Sequence, residues 1–200
     1  MAKSRRDFSI SIEPDASQLN QALKELSHIK NGAPRALSAA INKTATGVKT
    51  DLVRILAQNY TAKQKDIRAV VRVGQKASPS NLQTKVLGRH KAIPLINFSV
   101  RPRGVSRSRP KVGVTATVKR GASKKIPWSF IARVGGQIHV AMRVHSKIRV
   151  PTRKLFGPSV PDMMDNDGIR ETISKLASAR LAKNVAHEIE RVAKGWGPKT

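Results

Sequence analysis

The histidines are the residues of this chain whose type could bind a metal. His139 and His145 lie at the same parity of a predicted strand, with Arg143 between them. A metal site needs further ligands, and a ligating imidazole is usually oriented by a carboxylate. No Asp or Glu occurs from residue 67 to residue 161, so neither requirement is met nearby. We interpret these histidines as surface or interface residues and expect no metal site.

The run Asp165-Asn166-Asp167-Gly168 resembles half of a calcium-binding loop. In the complete loop pattern Gly168 would be the sixth position, so Met163 would be the first and Ser174 the twelfth. Those positions require Asp and Glu, and both requirements fail. We therefore predict an acidic helix N-terminus, where carboxylates meet the positive end of the helix dipole.

The sequence contains no set of residues arranged as in a known type of active site. Ser129 and Ser159 lack the flanking glycines of a nucleophile elbow, no glycine-rich phosphate loop is present, and the chain has no cysteine. Acid–base catalysis would need a pair of groups with tunable pKa values in a cleft. In the region with the most predicted strands, Lys and Arg occur without any Asp or Glu. The sequence predicts no catalytic residue and no cofactor.

Positive charge is concentrated in the middle of the chain. The 200 residues carry a formal net charge of +27, and residues 67–161 hold twenty-one Lys and Arg with no acidic residue. Such a field attracts polyanions, which include nucleic acid, anionic lipid and acidic protein faces. The charge by itself does not distinguish among these partners.

Two basic segments in this middle are the candidate contact sites. Both are predicted to be loops, one between Arg101 and Val112 and one from Lys119 to Lys125. The first could neutralise phosphates, or it could pair with the acidic surface of a partner subunit, and both interpretations stay open. The residues expected to contact a partner or DNA are Arg101, Arg103, Arg107, Arg109, Lys111, Lys119, Arg120, Lys124 and Lys125.

The aromatic residues are not arranged for stacking on bases. The segment from Arg101 to Lys111 contains none, and Phe98, Trp128 and Phe130 fall in predicted strands. Because strand aromatics usually pack in a core, we expect all three to be core residues.

The N-terminal half is predicted to be mainly helical. A basic arm and a strand with Phe8, Ile10 and Ile12 at alternate positions occupy residues 1–14. Asp15 and Gln18 form a capping box before a first helix with Leu19, Leu23, Leu26 and Ile29 as its apolar side. A second helix is expected from Pro34, with Leu37, Ile41, Thr44, Val48, Leu52 and Ile55 on one stripe. A second capping box, Thr61 with Gln64, predicts a short third helix, so that helices occupy residues 15–72.

Short strands follow over residues 81–153. Alternating apolar runs predict strands at 82–87, 93–100, 112–118, 128–134 and 137–144. Gly135-Gly136 predicts a two-residue hairpin in which Val134 faces Gln137 and Ala132 faces His139. Pro94 and Pro102 place their run at a sheet edge.

The chain closes with one long predicted helix. It spans 167–194, and its apolar stripe is Ile169, Ile173, Leu176, Leu181, Val185, Ile189 and Val192; residues 195–200 form a frayed tail. Segregated helices and strands predict an α+β fold, with N-terminal helices and a long C-terminal helix packed on a small antiparallel, meander-like sheet. We expect a single domain over residues 15–194. No secretory leader and no membrane-spanning run is evident.

Four local motifs together resemble the minor tail protein Z family of tailed bacteriophages and prophages. In chain order they are Tyr60-x-x-Lys63-x-x-Asp66-Ile67-Arg68; Ile93-Pro94-Leu95-Ile96-Asn97-Phe98; Val118-Lys119-Arg120-Gly121 leading to Ile126-Pro127-Trp128-Ser129-Phe130-Ile131-Ala132; and Leu155-Phe156-Gly157-Pro158-Ser159-Val160-Pro161. The likeness runs from about residue 21 to the terminal helix.

This resemblance implies a structural, non-enzymatic virion protein of a long-tailed phage. Such a protein would be made in the host cytoplasm and would complete the tail at its head-proximal end, supporting head–tail joining and genome passage. The implied partners are other tail and neck proteins, a homo-oligomeric ring taken as a hexamer, and genomic DNA. The family has no catalytic residues to transfer. The alternative, supported by charge alone, is a stand-alone nucleic-acid-binding protein.

Overall fold

Helices and short strands both contribute to the fold, and the computed structural model describes residues 8–105, 113–144, 151–165 and 168–195. The helices of this described chain are α1 (Ala16–Glu25), α2 (Gly32–Asn59), α3 (Gln64–Val70), α4 (Val160–Met164) and α5 (Ile169–Ala193). The strands are β1 (Phe8–Ile12), β2 (Val71–Val73), β3 (Thr84–Gly88), β4 (Ser99–Arg101), β5 (Val114–Thr117), β6 (Ser123–Ile126), β7 (Ser129–Val134), β8 (Gln137–Arg143) and β9 (Thr152–Lys154). The predicted α+β class is confirmed.

The strands divide among three small antiparallel sheets instead of forming one. The first has the order β1-β3-β2, so the N-terminal strand lies at its edge. The other two, β4-β5-β6 and β7-β8-β9, are meanders in which each strand pairs with the next along the chain. Residues of all three sheets, among them Ile10, Val100 and Val140, belong to the apolar cluster, so each short-stranded sheet contributes to the core.

Helix α2 is the central element of the core. The predicted stripe is confirmed, since Leu37, Ile41, Val48 and Leu52 are buried. Alanines on neighbouring faces of α2 are buried as well, so the helix is enclosed on more than one side. It begins at Gly32, earlier than the predicted Pro34, because the preceding residue adopts a left-handed conformation.

Helix α5 packs antiparallel along α2 through a polar seam. At one level Asn184 donates a 2.8 Å hydrogen bond to the hydroxyl of Thr44, and at another the guanidinium of Arg180 donates to Asp51 at 2.5 Å. Glu188 accepts a hydrogen bond from Arg191 at 2.7 Å and lies 3.5 Å from Lys43. Both buried carboxylates thus have cationic partners, as burial of a charge requires.

One leucine in each of two predicted helical stripes lies outside the core. The Asp15–Gln18 capping box is confirmed, and it starts α1. However, Leu23 is exposed while Ala22 is buried, and on α5 Leu176 is exposed while Ala177 is buried. Most other residues of the α5 stripe, among them Ile173, Leu181 and Ile189, are buried as predicted.

The predicted capping role of Thr61 is wrong. Helix α3 begins at Gln64, and its N-cap position, Lys63, makes no side-chain capping bond. The hydroxyl of Thr61 instead donates to the carbonyl oxygen of Thr117 and accepts from the amide of Ser99 at 3.0 Å. The Thr61 hydroxyl thus bonds the backbone of β4 and β5, and it does not cap α3.

Several strand predictions are confirmed and others need correction. The hairpin at Gly135-Gly136 has the predicted register, with Val134 opposite Gln137 and Ala132 opposite His139. The run 93–100 is instead a 3-10 turn over Leu95–Asn97, followed by the short strand β4. β4 does lie at a sheet edge, as predicted from Pro94 and Pro102, which lie on either side of it in sequence.

The strands β2, β6 and β9 are absent from the predictions. Strand β2 occupies the end of the range assigned to helices, because two β-branched valines there pair with β3. In the part of the chain that the structure describes, no helix is both long and apolar enough to cross a membrane.

Candidate functional site

The sheet β4-β5-β6 brings two of the predicted contact residues onto one surface. Arg101 pairs with Thr115, and Thr115 pairs with Lys125, so the three residues form one row across the strands. Directly opposed residues project from the same face of a sheet. Val100 and Ala116 are buried on the other face, which leaves Arg101 and Lys125 on the solvent side. Two strand spacings separate their Cα atoms by about 10 Å.

Hydroxyl groups occupy the adjacent row of the same face. Ser99 pairs with Thr117, and Thr117 pairs with Ser123. The hydroxyls of Thr117 and Ser123 lie 2.6 Å apart and share a hydrogen bond. The face therefore presents a basic row beside a hydroxyl row, and these side-chain types commonly contact phosphate or carboxylate oxygens.

An open groove of about 370 Å³ borders this basic face. Two exposed basic residues, Arg103 and Lys63, contribute to its lining. Polar Asn97 and Ser99 line it as well. The ring of Phe98 also lines it. The groove extends the cationic surface beyond the sheet and adds Lys63, which was not among the predicted contact residues. Lys63 belongs to the first of the four motifs, but it lies outside the acid-free middle, so the charge pattern did not mark it as a contact residue.

Lys124 lies apart from Lys125. By register it is opposite Ala116, on the face that carries the buried residues, and it is exposed because β6 is the outer strand. The predicted loop 119–125 is thus partly a strand. An inward-facing charge on an edge strand hinders pairing with another copy of the same sheet.

Arg120 has a structural role. It lies in the turn between β5 and β6, and its Nε and Nη2 atoms donate to the carbonyl oxygen of Ala57 at 3.2 and 3.0 Å. Its backbone amide donates to the carbonyl of Asn59 at 2.9 Å. These carbonyls belong to the last turn of α2, which lacks intrahelical donors and attracts positive charge. Arg120 thus caps the C-terminus of α2, and its predicted contact with a partner stays a prediction.

The remaining predicted contact residues divide into two groups. Lys119 is exposed and forms an isolated antiparallel bridge with Tyr60. Arg107, Arg109 and Lys111 lie outside the described residues. Within residues 8–105, 113–144, 151–165 and 168–195, no ion pair joins Arg101, Arg103, Lys124 or Lys125 to a carboxylate. Arg101, Arg103 and Lys125 therefore carry exposed charges with no carboxylate partner among the described residues.

The serines considered as nucleophiles are structural. Ser129 is buried, and its hydroxyl donates to the carbonyl of Ile126 at 2.6 Å and accepts from the amide of Val114 at 2.9 Å. Ser159 caps α4 and donates to the carboxylate of Asp162. Among the described residues, no group of three His, Cys, Asp or Glu side chains could hold a metal ion.

Asp162 has a perturbed carboxyl group. Partial burial alone would raise its pKa, but hydrogen bonds from Ser159 and the charge of His90 outweigh this effect and lower the pKa below its ordinary value. The oxygen Oδ2 accepts from the Ser159 hydroxyl at 2.6 Å, and Oδ1 lies 3.4 Å from Nε2 of His90. This arrangement fixes the start of α4 and shows no substrate-binding geometry.

The four sequence motifs meet in one junction. Strand-like bridges join Tyr60 to Lys119 and Pro94 to Phe156. The amide of Lys63 donates to the carbonyl of Asn97 at 3.4 Å, and that of Gly157 donates to Ile93 at 2.8 Å. Segments far apart in sequence are thereby tied together beside the basic face.

One protein family matches most of this chain. The family model described as prophage minor tail protein Z (GPZ) matches residues 17–194. The chain belongs to the minor tail protein Z family. No curated protein and no solved structure matches it.

Membership in the minor tail protein Z family confirms the resemblance carried by the four motifs. It makes this chain a structural protein of a phage tail, and hence a component of the virion. The match begins at residue 17, slightly before the start expected from the motifs, and ends in α5. It includes the basic face and the groove.

One exposed aromatic residue of this minor tail protein Z was wrongly predicted to be buried. Trp128 lies in the turn before β7, and 63 % of its surface is accessible. Phe98 is buried, as predicted, and Phe130 is half-buried. The strand pattern extended one residue too far, because Pro127 and Trp128 form the turn that separates β6 from β7.

Proposed function

We propose that this protein completes the phage tail at its head-proximal end, where it supports head–tail joining and passage of the genome. It acts by binding neighbouring subunits and performs no catalysis. Its family membership supports the tail assignment, and the basic face supports a docking role. Synthesis in the host cytoplasm and incorporation into the virion follow from this proposal.

The observation that carries the docking role is the row Arg101–Thr115–Lys125 on the solvent side of its sheet. Next to it the groove adds Arg103 and Lys63. Since no carboxylate of the described residues pairs with Arg101, Arg103 or Lys125, their charge is available to an acidic face of a tail or neck subunit. Complementary charge of this kind steers association and sets orientation.

The protein is proposed to form a closed ring on the tail, with six copies as the working number. A ring satisfies head-to-tail interfaces without leaving an open edge. Copies that each carry a net charge of +27 repel one another. The ring is therefore expected to form on an acidic tail or neck surface, and not in free solution at low salt.

The same face favours a second candidate function, contact with genomic DNA. Arg, Lys, Ser and Thr are the side chains that most often contact phosphates. A filter-binding titration with duplex DNA distinguishes the two functions. Tight binding with a log–log salt slope of about −5 or steeper supports the nucleic-acid function, whereas negligible binding at roughly 150 mM salt supports docking on protein.

Complementation of a prophage that lacks this gene tests the docking role. The variant R101A/R103A/K125A removes three charges from the basic face and groove. The control K24A/K175A/K183A removes three exposed charges from α1 and α5. The face variant should remain folded by circular dichroism yet fail to enter particles, while the control assembles. Equal assembly of both variants contradicts the docking role.

The location is tested by imaging particles that carry a labelled copy of the protein. Label at the neck is the expected result. Label at the tail tip, or protein found only in the infected cytosol and absent from purified particles, contradicts head-proximal completion.

A further inference from the structure

Trp128 is held in an exposed and unfavourable conformation. Its φ angle is 62°, in the left-handed region, and 63 % of its surface is accessible to solvent. A bulky residue in that region costs about 1–2 kcal/mol relative to an ordinary conformation. Large aromatic residues at such exposed positions are enriched among the residues that dominate binding energy in protein interfaces.

Two hydrogen bonds and a close backbone contact fix the turn that carries Trp128. The hydroxyl of Ser129 is buried and bonds both the carbonyl of Ile126 and the amide of Val114. Gly113 lies so close that a Cβ atom there would be 2.2 Å from the Ile126 carbonyl oxygen. The indole is therefore presented by a rigid turn, and a rigid anchor loses little conformational freedom when a partner binds.

The strand that leads into this turn is an open edge. In the part of the chain that the structure describes, β6 pairs with β5 on one side and with no strand on the other. Lys124 and Lys125 are exposed and project from opposite faces of β6. These charges repel the same edge of a second copy, and they attract an extended segment that carries carboxylates.

We propose that β6 and Trp128 form a docking edge for an extended acidic segment of another protein. The segment adds a strand to β6 through backbone hydrogen bonds, its carboxylates meet Lys124 and Lys125, and its apolar end packs on the indole of Trp128. The docking edge is separate from the basic face except for Lys125, and it does not depend on where in the virion the protein resides.

The placement of the two lysines favours a peptide over nucleic acid. A β-strand carries side chains alternately on its two faces, so adjacent carboxylates on an incoming strand reach Lys124 and Lys125 together. A phosphate backbone lying on the solvent face of the sheet would reach Lys125 and leave Lys124 on the opposite face.

Fluorescence of Trp128 provides a direct test. Trp196 is the only other tryptophan in the sequence, so the full-length variant W196F reports on Trp128 alone. The probe is an extended Val/Thr peptide with an adjacent Asp-Glu pair, and its control has Asn-Gln in their place. The acidic peptide should shift the emission to the blue and protect Trp128 from acrylamide quenching. The neutral peptide should bind at least about tenfold more weakly.

Two further probes separate the alternatives. N-methylation of the backbone amides of the peptide that face β6 should abolish binding. It removes the N–H donors of the hydrogen bonds between the peptide and β6. Duplex DNA should leave the quenching of Trp128 unchanged. Protection by DNA alone, equal binding of the acidic and neutral peptides, or no protection by any peptide overturns the docking edge.

The variant W128G separates an anchor from a structural tryptophan. Glycine accepts the positive φ angle, so W128G should remain folded by circular dichroism. It should lose affinity for the fluorescein-labelled acidic peptide by anisotropy, whereas L176A, which truncates an exposed leucine on α5, should retain it. Unchanged peptide affinity of folded W128G overturns the assignment, as does an equal loss of affinity in L176A.

Discussion

Arg180 occupies the space that the missing side chain of Gly47 leaves on α2. A Cβ atom at position 47 would lie 2.7 Å from Cδ of Arg180 and 2.9 Å from its Nε. The guanidinium reaches past this point to Asp51, which is buried. Gly47 weakens the helix by its intrinsic propensity, but it permits the ion pair that neutralises a buried carboxylate.

The substitution G47A is therefore expected to destabilise the protein. In an unconstrained helix the change from Gly to Ala would stabilise by about 1 kcal/mol. Here the methyl group displaces Arg180 and weakens a charge-assisted bond worth about 1.5–3 kcal/mol. Urea unfolding should show a net loss of stability. In the R180A background the same substitution should become stabilising, and a stabilising effect of G47A in the wild type would contradict this account.

The substitution R120A is expected to lower stability by about 1 kcal/mol. It removes the guanidinium that bonds the Ala57 carbonyl and the positive charge beside the C-terminus of α2. Thermal and urea unfolding measure the effect. K124A removes an exposed charge from the adjacent strand and serves as the control, with little expected change. If both variants unfold like the wild type, the capping role is wrong.

The stability contributed by Asp162 should be lost in acid. Because the folded-state pKa is lower than the unfolded-state value, the ionised form stabilises the fold above the unfolded pKa. That contribution disappears as the pH falls through the unfolded pKa toward the folded one. The difference in unfolding free energy between wild type and D162N should therefore be larger at neutral pH than in strong acid. A constant difference across this range would contradict the predicted linkage.

We propose that residues 15–194 form a single domain that unfolds in one step. The apolar cluster that supports this proposal contains residues of α2, of the sheet β4-β5-β6 and of α5, including Leu52, Val114 and Ile189. Helix signal in the far ultraviolet and tryptophan fluorescence should follow coincident urea transitions. Two separated transitions would indicate that the small sheets unfold independently of the α2–α5 pair.

Local patterns predicted the elements whose causes are local. The Asp15–Gln18 box, the Gly135-Gly136 hairpin and the apolar stripe of α2 each depend on residues close in sequence, and the structure contains all three. Thr61 failed as a cap because its hydroxyl is taken by Thr117 and Ser99, which are distant in sequence. A local motif cannot reveal such competition.

The sequence predicted the positive charge of the candidate site, but it did not predict where its residues lie in the fold. The acid-free middle identified Arg101 and Lys125, yet the sequence did not indicate that β6 exists or that Lys124 faces the other way. A strand with two adjacent lysines has no apolar alternation, and only its pairing with β5 defines it. The role of Arg120 depends on the end of α2, which lies about sixty residues earlier in the chain.

The junction of the four motifs bears on how relatives of this chain would differ. The bridges Tyr60–Lys119 and Pro94–Phe156 hold backbone segments together, so some of the residues by which the family is recognised serve internal cohesion. Arg101, Arg103 and Lys125 lie outside those motifs. A relative could keep every motif, fold in the same way and still dock on a different neighbour. The partner of the basic face would then vary without any change in the residues that define the family.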